Sequence, residues 1–475
     1  MIVQYWSYKR CIIRRKTWRN AMDDFFDSFN SKRDKLNTVK KISSLPSNYV
    51  GSKRRLLSHI WDVLEKEDVK FDSVLDAFSG SSMVSLLFKT MGKKVYANDL
   101  LTSSAITAVC LLENQNIPLT NEDISFLCTN VPDSHGTFVL DNYKDKFFTE
   151  KECIFLDRYR ANVESLCGSK FYCGMDVVNK ATLMSIPNSN FSVYGKDLKS
   201  IRSTHEVGKS FWKEKWRDTT RKRRDVNNEI KFGESINEVC DKYRSAFSLF
   251  AIENHINQHC FLGGRYYNGQ TIANLEHRLK HEKGNGIPID DMINSIPKNL
   301  GKVQGCLTGG EAFVFNSDII DLLESRAVSA DLLYLDPPYG GASSDYAVLY
   351  RFLEEYLYGS KLEDMEHIQK GAKRFAKKKG YQEHFEHMLS LCSDFPVWLT
   401  SYNESSYANL DLITSTIKNA GKKTVKVFDV PITYQYRKGK NIVSLEETSN
   451  GEFGYDPDKG KTHLQRGTEY LILAY

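Results

Sequence analysis

The sequence predicts an α/β protein: a doubly wound, Rossmann-like parallel sheet carrying a large insertion. Three observations predict it. Residues 71–78 form a short apolar run, followed by the small-residue turn Ser79-Gly80-Ser81-Ser82 and an amphipathic helix pattern. Residues 94–98 form a second run that ends on Asp99. Far downstream, residues 332–335 form a third, which stops at Asp336-Pro337-Pro338-Tyr339. This last run is too short for a helix of its own. Two prolines then forbid both helix and ladder pairing, so the chain leaves the sheet at Asp336. Ligands of open α/β sheets bind at the carboxyl ends of such strands.

At 475 residues the chain exceeds one typical core, so a second domain or a large insertion is expected. We divide it into a basic extension (1–40), a first sheet segment (41–114), an inserted region (115–310) and a second sheet segment (311–475). The extension carries ten Lys/Arg against four Asp, with Trp6 and Trp18 interleaved. A nucleic-acid-binding arm and a solvated tail fit it equally. Tyr49-Val50-Gly51-Ser52-Lys53 precedes a helical pattern through Leu56, Leu57, Ile60, Trp61 and Leu64. A glycine turn with a lysine at a helix start suits an anionic group. After the 79–82 turn, Val84, Leu87, Phe88 and Met91 share one helix face. Asp99 lies about 20 positions beyond the glycine, where an acidic residue accepts both hydroxyls of a ribose. The turn lacks G-x-G-x-x-G, so a nucleoside without a diphosphate fits better than a dinucleotide. An ordinary βαβ unit with a surface aspartate fits these residues as well.

Residues 151–310 hold 25 Lys/Arg against 18 Asp/Glu, a local excess above the whole chain's +5. Within them, residues 211–224 mix aromatics with seven basic groups and end in Arg221-Lys222-Arg223-Arg224. Such clusters position DNA through phosphates without reading bases, although a solvated helix face has the same composition. His255, His259 and Cys260 have metal-ligand spacing on a helix but no second ligand pair nearby, which favours a structural role. Residues 340–346 read as a mobile loop, residues 350–358 as an aromatic-faced helix, and residues 370–379 as a second candidate phosphate-binding segment with six basic groups. Residues 396–403, 424–430 and 469–473 supply further strands.

With 41% hydrophobic residues the chain is globular in composition, and no apolar run approaches the length of a membrane span. No apolar segment follows the N-terminal charges, so a secretory signal is not expected. Ten scattered cysteines without a CxxC pair suit a reducing cytoplasm.

Taken in order, Tyr49 to Lys53, Phe78 to Ser82, Asn98-Asp99, the insertion and Asp336 to Tyr339 resemble the motif series of the Dam-like, adenine-specific (N6) DNA methyltransferases of restriction-modification systems. Lys146-Phe147-Phe148-Thr149-Glu150, Asn316-Ser317-Asp318 and Ser401-Tyr402-Asn403 extend the resemblance. Two residues depart from the pattern: Ser52 and Ser82 stand where the family has glycine. An added Cβ there is expected to crowd the cofactor or restrict φ.

The resemblance implies S-adenosylmethionine as cofactor, duplex DNA as substrate and a cognate restriction endonuclease as partner. It implies Asp99 on the ribose, Tyr49, Gly51 and Lys53 near the methionine end, and Asp318 and Ile319 beside the adenine. Asp76, Phe78 and Gly80 belong to the cofactor loop. Asp336 and the Pro337 carbonyl would accept the two hydrogens of the target amino group, next to Pro338, with Tyr339 stacked on an extruded base. No metal is required. Amino methylation of cytosine, action on RNA or protein glutamine, and an inactive DNA-binding descendant of the fold remain as alternatives.

Overall fold

The structure, a computed structural model, describes residues 32–45, 49, 51–114, 119–133, 135–146, 148–166, 234–259, 309–340, 345–403, 406–437 and 462–475. In chain order these form α1 (Lys32–Ser43), α2 (Leu57–Lys66), β1 (Ser73–Asp76), α3 (Met83–Thr90), β2 (Lys94–Asp99) and α4 (Thr102–Ala108). Then come α5 (Asn121–Thr129), α6 (Phe138–Tyr143), α7 (Glu150–Leu166), α8 (Glu234–His259), β3 (Ala312–Asn316), α9 (Ile319–Glu324) and β4 (Leu332–Leu335). The chain continues with α10 (Tyr346–Leu349), α11 (Arg351–Tyr358), α12 (Glu366–Ala376), α13 (Lys378–Ser390), β5 (Val397–Asn403), α14 (Leu410–Asn419), β6 (Val425–Arg437) and β7 (Thr462–Ala474).

Seven strands form one sheet in the order β3-β2-β1-β4-β5-β7-β6. The first five are parallel, and β7 runs antiparallel to both β5 and β6. The order reverses between β1 and β4, which opens a crevice at the carboxyl ends of those strands. Both faces of the sheet are covered, so its strands read as continuous apolar runs. Val74, Val95, Val314, Leu332 and Tyr334 face one core, packed by α2, α3, α4, α7, α8 and α11. Their neighbours Leu75, Phe313, Phe315, Leu333 and Leu335 face the other, packed by α9, α13 and α14. A carboxylate locks the centre: Asp331 Oδ2 accepts from Asp72 N (2.9 Å), Ser73 N (2.9 Å) and Ser73 Oγ (2.7 Å). Those bonds hold its carboxyl below the usual range.

Helices α5 to α8 come from the inserted region, and Leu127, Tyr159, Phe247 and Ile252 share one core cluster with Leu86 and Ile106 of α3 and α4. Part of the insertion is therefore a wall of the sheet domain. Arg221, Lys222, Arg223, Arg224 and Cys260 lie outside the described residues, whereas His255 is buried on α8. Three local differences from the sequence reading stand out. The edge strand β3 was not expected, because a five-residue apolar run gives no period to read. Of the expected 340–346 loop, Asp345 caps and Tyr346 begins α10. The last residues of the basic extension belong to α1, whose Val39 and Ile42 are buried and whose Lys35 pairs with Asp62 (2.5 Å) and Glu65 (2.7 Å). Among the described residues no helix is long and apolar enough to cross a membrane.

Candidate active site

A cleft of about 900 Å³, open mouth included, lies over the crevice between β1 and β4. Parallel register brings its acidic residues together, since Asp76 pairs with Ala97 and Tyr334, and Asp99 pairs with Asn316. Tyr49, Gly51, Lys53, Asp76, Phe78, Gly80, Asp99, Asp318, Ile319, Asp336 and Pro338 all line the cleft. Pro337 and Tyr339 sit beside it without lining it.

The loop after β1 turns on Gly80, at φ +46°, where a Cβ would lie 2.8 Å from the Tyr49 ring. Only glycine allows that approach. Tyr49 in turn stacks on Tyr350 with ring centroids 4.8 Å apart, and on Tyr346 at 5.9 Å. Asp99 pins the same loop: Gly80 N donates to its Oδ2 (2.7 Å) and Leu101 N to its Oδ1 (2.9 Å). Burial pushes the Asp99 carboxyl up to about 6 and that of Asp76 to about 7. Ser85 Oγ donates to Asp76 Oδ2 (2.6 Å), while Asp76 Oδ1, Ser79 Oγ and Asn98 Oδ1 are buried with no hydrogen-bond partner. Asp76, Ser79 and Asn98 all contribute to the lining of the cleft.

The two serines that replace glycines behave differently. Ser52 lines the cleft and its Oγ lies 2.9 Å from Ser81 Oγ, tying the 49–53 turn to the glycine loop. Ser82 holds the left-handed conformation at φ +59°, so the expected backbone restriction is real. It is fully buried and does not line the cleft, so it does not crowd the ligand space.

At the mouth, every oxygen of Asp336 is engaged. Oδ1 accepts from Ser401 Oγ (2.9 Å) and Tyr339 Oη (3.0 Å), and Tyr334 Oη donates to Ser401 Oγ (3.0 Å). Oδ2 pairs with Lys53 Nζ at 2.7 Å. That ammonium also donates to Gly51 O (3.0 Å) and lies 5.1 Å from the Tyr339 ring centroid. The sequence reading placed Lys53 near a cofactor; its contact with Asp336 was not foreseen. Nor was the wall built by Gly371, Ala372 and Phe375 of α12. Arg374 of that helix pairs with Asp318 (2.9 Å), whose other oxygen caps α9 at Ile320 N (2.9 Å).

A carboxylate, two prolines and a tyrosine thus stand at a strand end beside an acidic cleft. Residues 49–276 match the family model described as "D12 class N6 adenine-specific DNA methyltransferase". Over 395 residues it is also 26% identical to the type II methyltransferase M2.HphI of Haemophilus parahaemolyticus, covering 83% of this chain and 93% of the relative. No solved structure gives a significant match.

Proposed function

We propose that the protein transfers a methyl group from S-adenosylmethionine to N6 of adenine in duplex DNA, as the modification member of a restriction-modification pair, with Asp336 at the reacting nitrogen. The observation that carries this is the adjacency of two unlike sites on one sheet edge. One is the acidic Asp76–Asp99 cleft, and the other is the Asp336-Pro-Pro-Tyr corner at its mouth. The cofactor is rich in donors: two ribose hydroxyls, an ammonium and an adenine amino group. Asp99 keeps free lone pairs after accepting two backbone bonds and suits the ribose. Asp76 Oδ1, Ser79 Oγ and Asn98 Oδ1 offer partners for the remaining donors. Asp318, Ile319 and Phe375 suit a flat base, while Tyr49, Gly51 and Lys53 border the other end.

When bound, the cofactor supplies an electrophilic methyl. The protein's work is on the other reactant. The adenine amino lone pair is delocalised into the ring, so the nitrogen is a poor nucleophile until its hydrogens are held to one side. Asp336 Oδ2, with Lys53 displaced, and the Pro337 carbonyl are assigned to those hydrogens. Ser401 keeps the carboxylate turned toward them through Oδ1. Such preorganised acceptors stabilise the transition state without reorganising during it. Tyr339 is assigned to the face of the extruded base. Recognition of the DNA sequence is assigned to the inserted region between 115 and 310, with Arg221, Lys222, Arg223 and Arg224 on phosphate. The cytoplasm is the fitting compartment for such an enzyme and its endonuclease.

The test is labelled methyl transfer from S-adenosylmethionine to duplex DNA, followed by mapping of modified bases in DNA from expressing cells. N6-methyladenine at one recurring sequence is expected. Modified cytosine, or no transfer to duplex DNA, would overturn the assignment.

A further inference from the structure

Resting on that reading, we infer that the elbow between α12 and α13 grips the DNA phosphate backbone and couples the grip to the catalytic loop. The elbow is built for the surface. Lys377 is extended (φ −102°, ψ 134°), Lys379 is non-helical and Gly380 turns at φ +87°. Lys377, Lys378 and Lys379 are consecutive and exposed, and among the described residues no ion pair neutralises them. Lys370 and Lys373 on α12 are exposed as well. Three adjacent uncompensated cations repel one another, and a polyanion relieves that repulsion.

The inner side of the elbow is not free surface. Tyr381, the next residue, donates from Oη to Pro338 O at 3.1 Å. Its ring meets Tyr407 edge-on at 5.7 Å, and Tyr407 N donates to Tyr339 O at 2.7 Å. A Cβ on Gly340 would lie 2.1 Å from the Tyr407 ring, so the catalytic loop is packed against the same assembly. One turn earlier, α12 presents Phe375 to the cleft. The lysines therefore stand two to four positions before Tyr381, whose hydroxyl bonds the Asp-Pro-Pro-Tyr loop. An adenine extruded into that loop brings its flanking phosphates to this elbow.

The experiment compares Lys377→Gln/Lys378→Gln/Lys379→Gln with a control at two exposed lysines elsewhere, Lys418→Gln/Lys423→Gln, in the full chain. DNA affinity is measured across a salt series. The elbow variant is expected to lower the salt slope by roughly 0.9 per lost phosphate contact, up to about three contacts, with the control unchanged. Tyr381→Phe is expected to keep the wild-type slope while slowing single-turnover methyl transfer roughly threefold to tenfold at saturating DNA. An unchanged slope in the elbow variant, or an equal loss in the control, overturns the grip. A wild-type rate in Tyr381→Phe overturns the coupling. The binding slope is read whether or not methyl is transferred, so failure of the elbow and failure of the catalytic assignment are separate results.

Discussion

Ser82→Gly is expected to stabilise the protein, and its effect can be worked out term by term. Ser82 is the N-cap of α3, yet its side chain makes no capping bond, and its backbone sits at φ +59°, ψ 16°. For a residue with a Cβ that region lies roughly 1–2 kcal/mol above right-handed backbone. The hydroxyl is buried without a partner, which costs about 1–3 kcal/mol. Glycine removes both penalties. Against this stand its extra unfolded-state entropy, roughly 0.5–1 kcal/mol, and one methylene of lost burial, about 0.8 kcal/mol. The backbone bonds of the turn, Ser82 N to Ser79 O and Leu86 N to Ser82 O, survive the change. A net gain centred on about 2 kcal/mol follows. Urea denaturation of wild type, Ser82→Gly and Ser82→Ala reads it, with alanine separating hydroxyl from strain. Glycine weaker than alanine by about 1.5 kcal/mol, its entropy and burial costs left unopposed, would show that the strain is absent. Both variants weaker than wild type would show that the hydroxyl is bonded. Cofactor affinity is expected to stay unchanged, because Ser82 does not line the cleft.

Asp336→Ala should bind DNA as wild type and lose roughly a hundredfold or more in single-turnover transfer, whereas Asp336→Asn, keeping one acceptor oxygen, should retain partial activity; wild-type rates in the alanine variant would remove the carboxylate from the chemistry. Asp99→Ala should weaken S-adenosylmethionine binding by about ten- to a hundredfold as measured by calorimetry. It should also lower stability, since the N–H groups of Gly80 and Leu101 lose their acceptor. Asp76→Asn tests linkage. The Asp76 pKa is raised by burial from 3.8 to about 7, so its ionisation opposes folding, and that opposition grows as pH rises through this window. Relative to the asparagine variant, cofactor-free wild type should lose stability steadily from about pH 4 to about pH 7; parallel stability curves would mean that Asp76 is not desolvated.

Much of the fold was legible because its strands are local and fully buried. Residues 73–76 and 94–99 end on carboxylates and 332–335 is followed by one, and those ends are where parallel strands place their ligands. What escaped the sequence depends on long-range geometry. Lys53, in the turn before α2, and Asp336, just past β4, are far apart in the chain, and no local pattern encodes that pair. The wall at Gly371, Ala372 and Phe375 is hidden among lysines, where the charge pattern dominates the eye. The strain at Ser82 was suggested by a missing glycine, but its direction away from the ligand was not.

The Asp331 clamp joins residues 258 positions apart, and this has a consequence for how the protein is born. At roughly 5–20 residues per second of synthesis, β1 waits on the order of 13–50 seconds for its central partner β4. During that wait one edge of β1 has unmade ladder bonds, the kind of surface that pairs with other chains. Helices α7 and α8, synthesised in the interval, carry Tyr159 and Phe247 into the core cluster that also holds Val74. They can shelter one face of the incomplete sheet before its centre closes. The carboxylate assigned to catalysis arrives after that, and Ser401, which orients it, arrives later still. Competence to modify DNA is among the last properties the growing chain acquires.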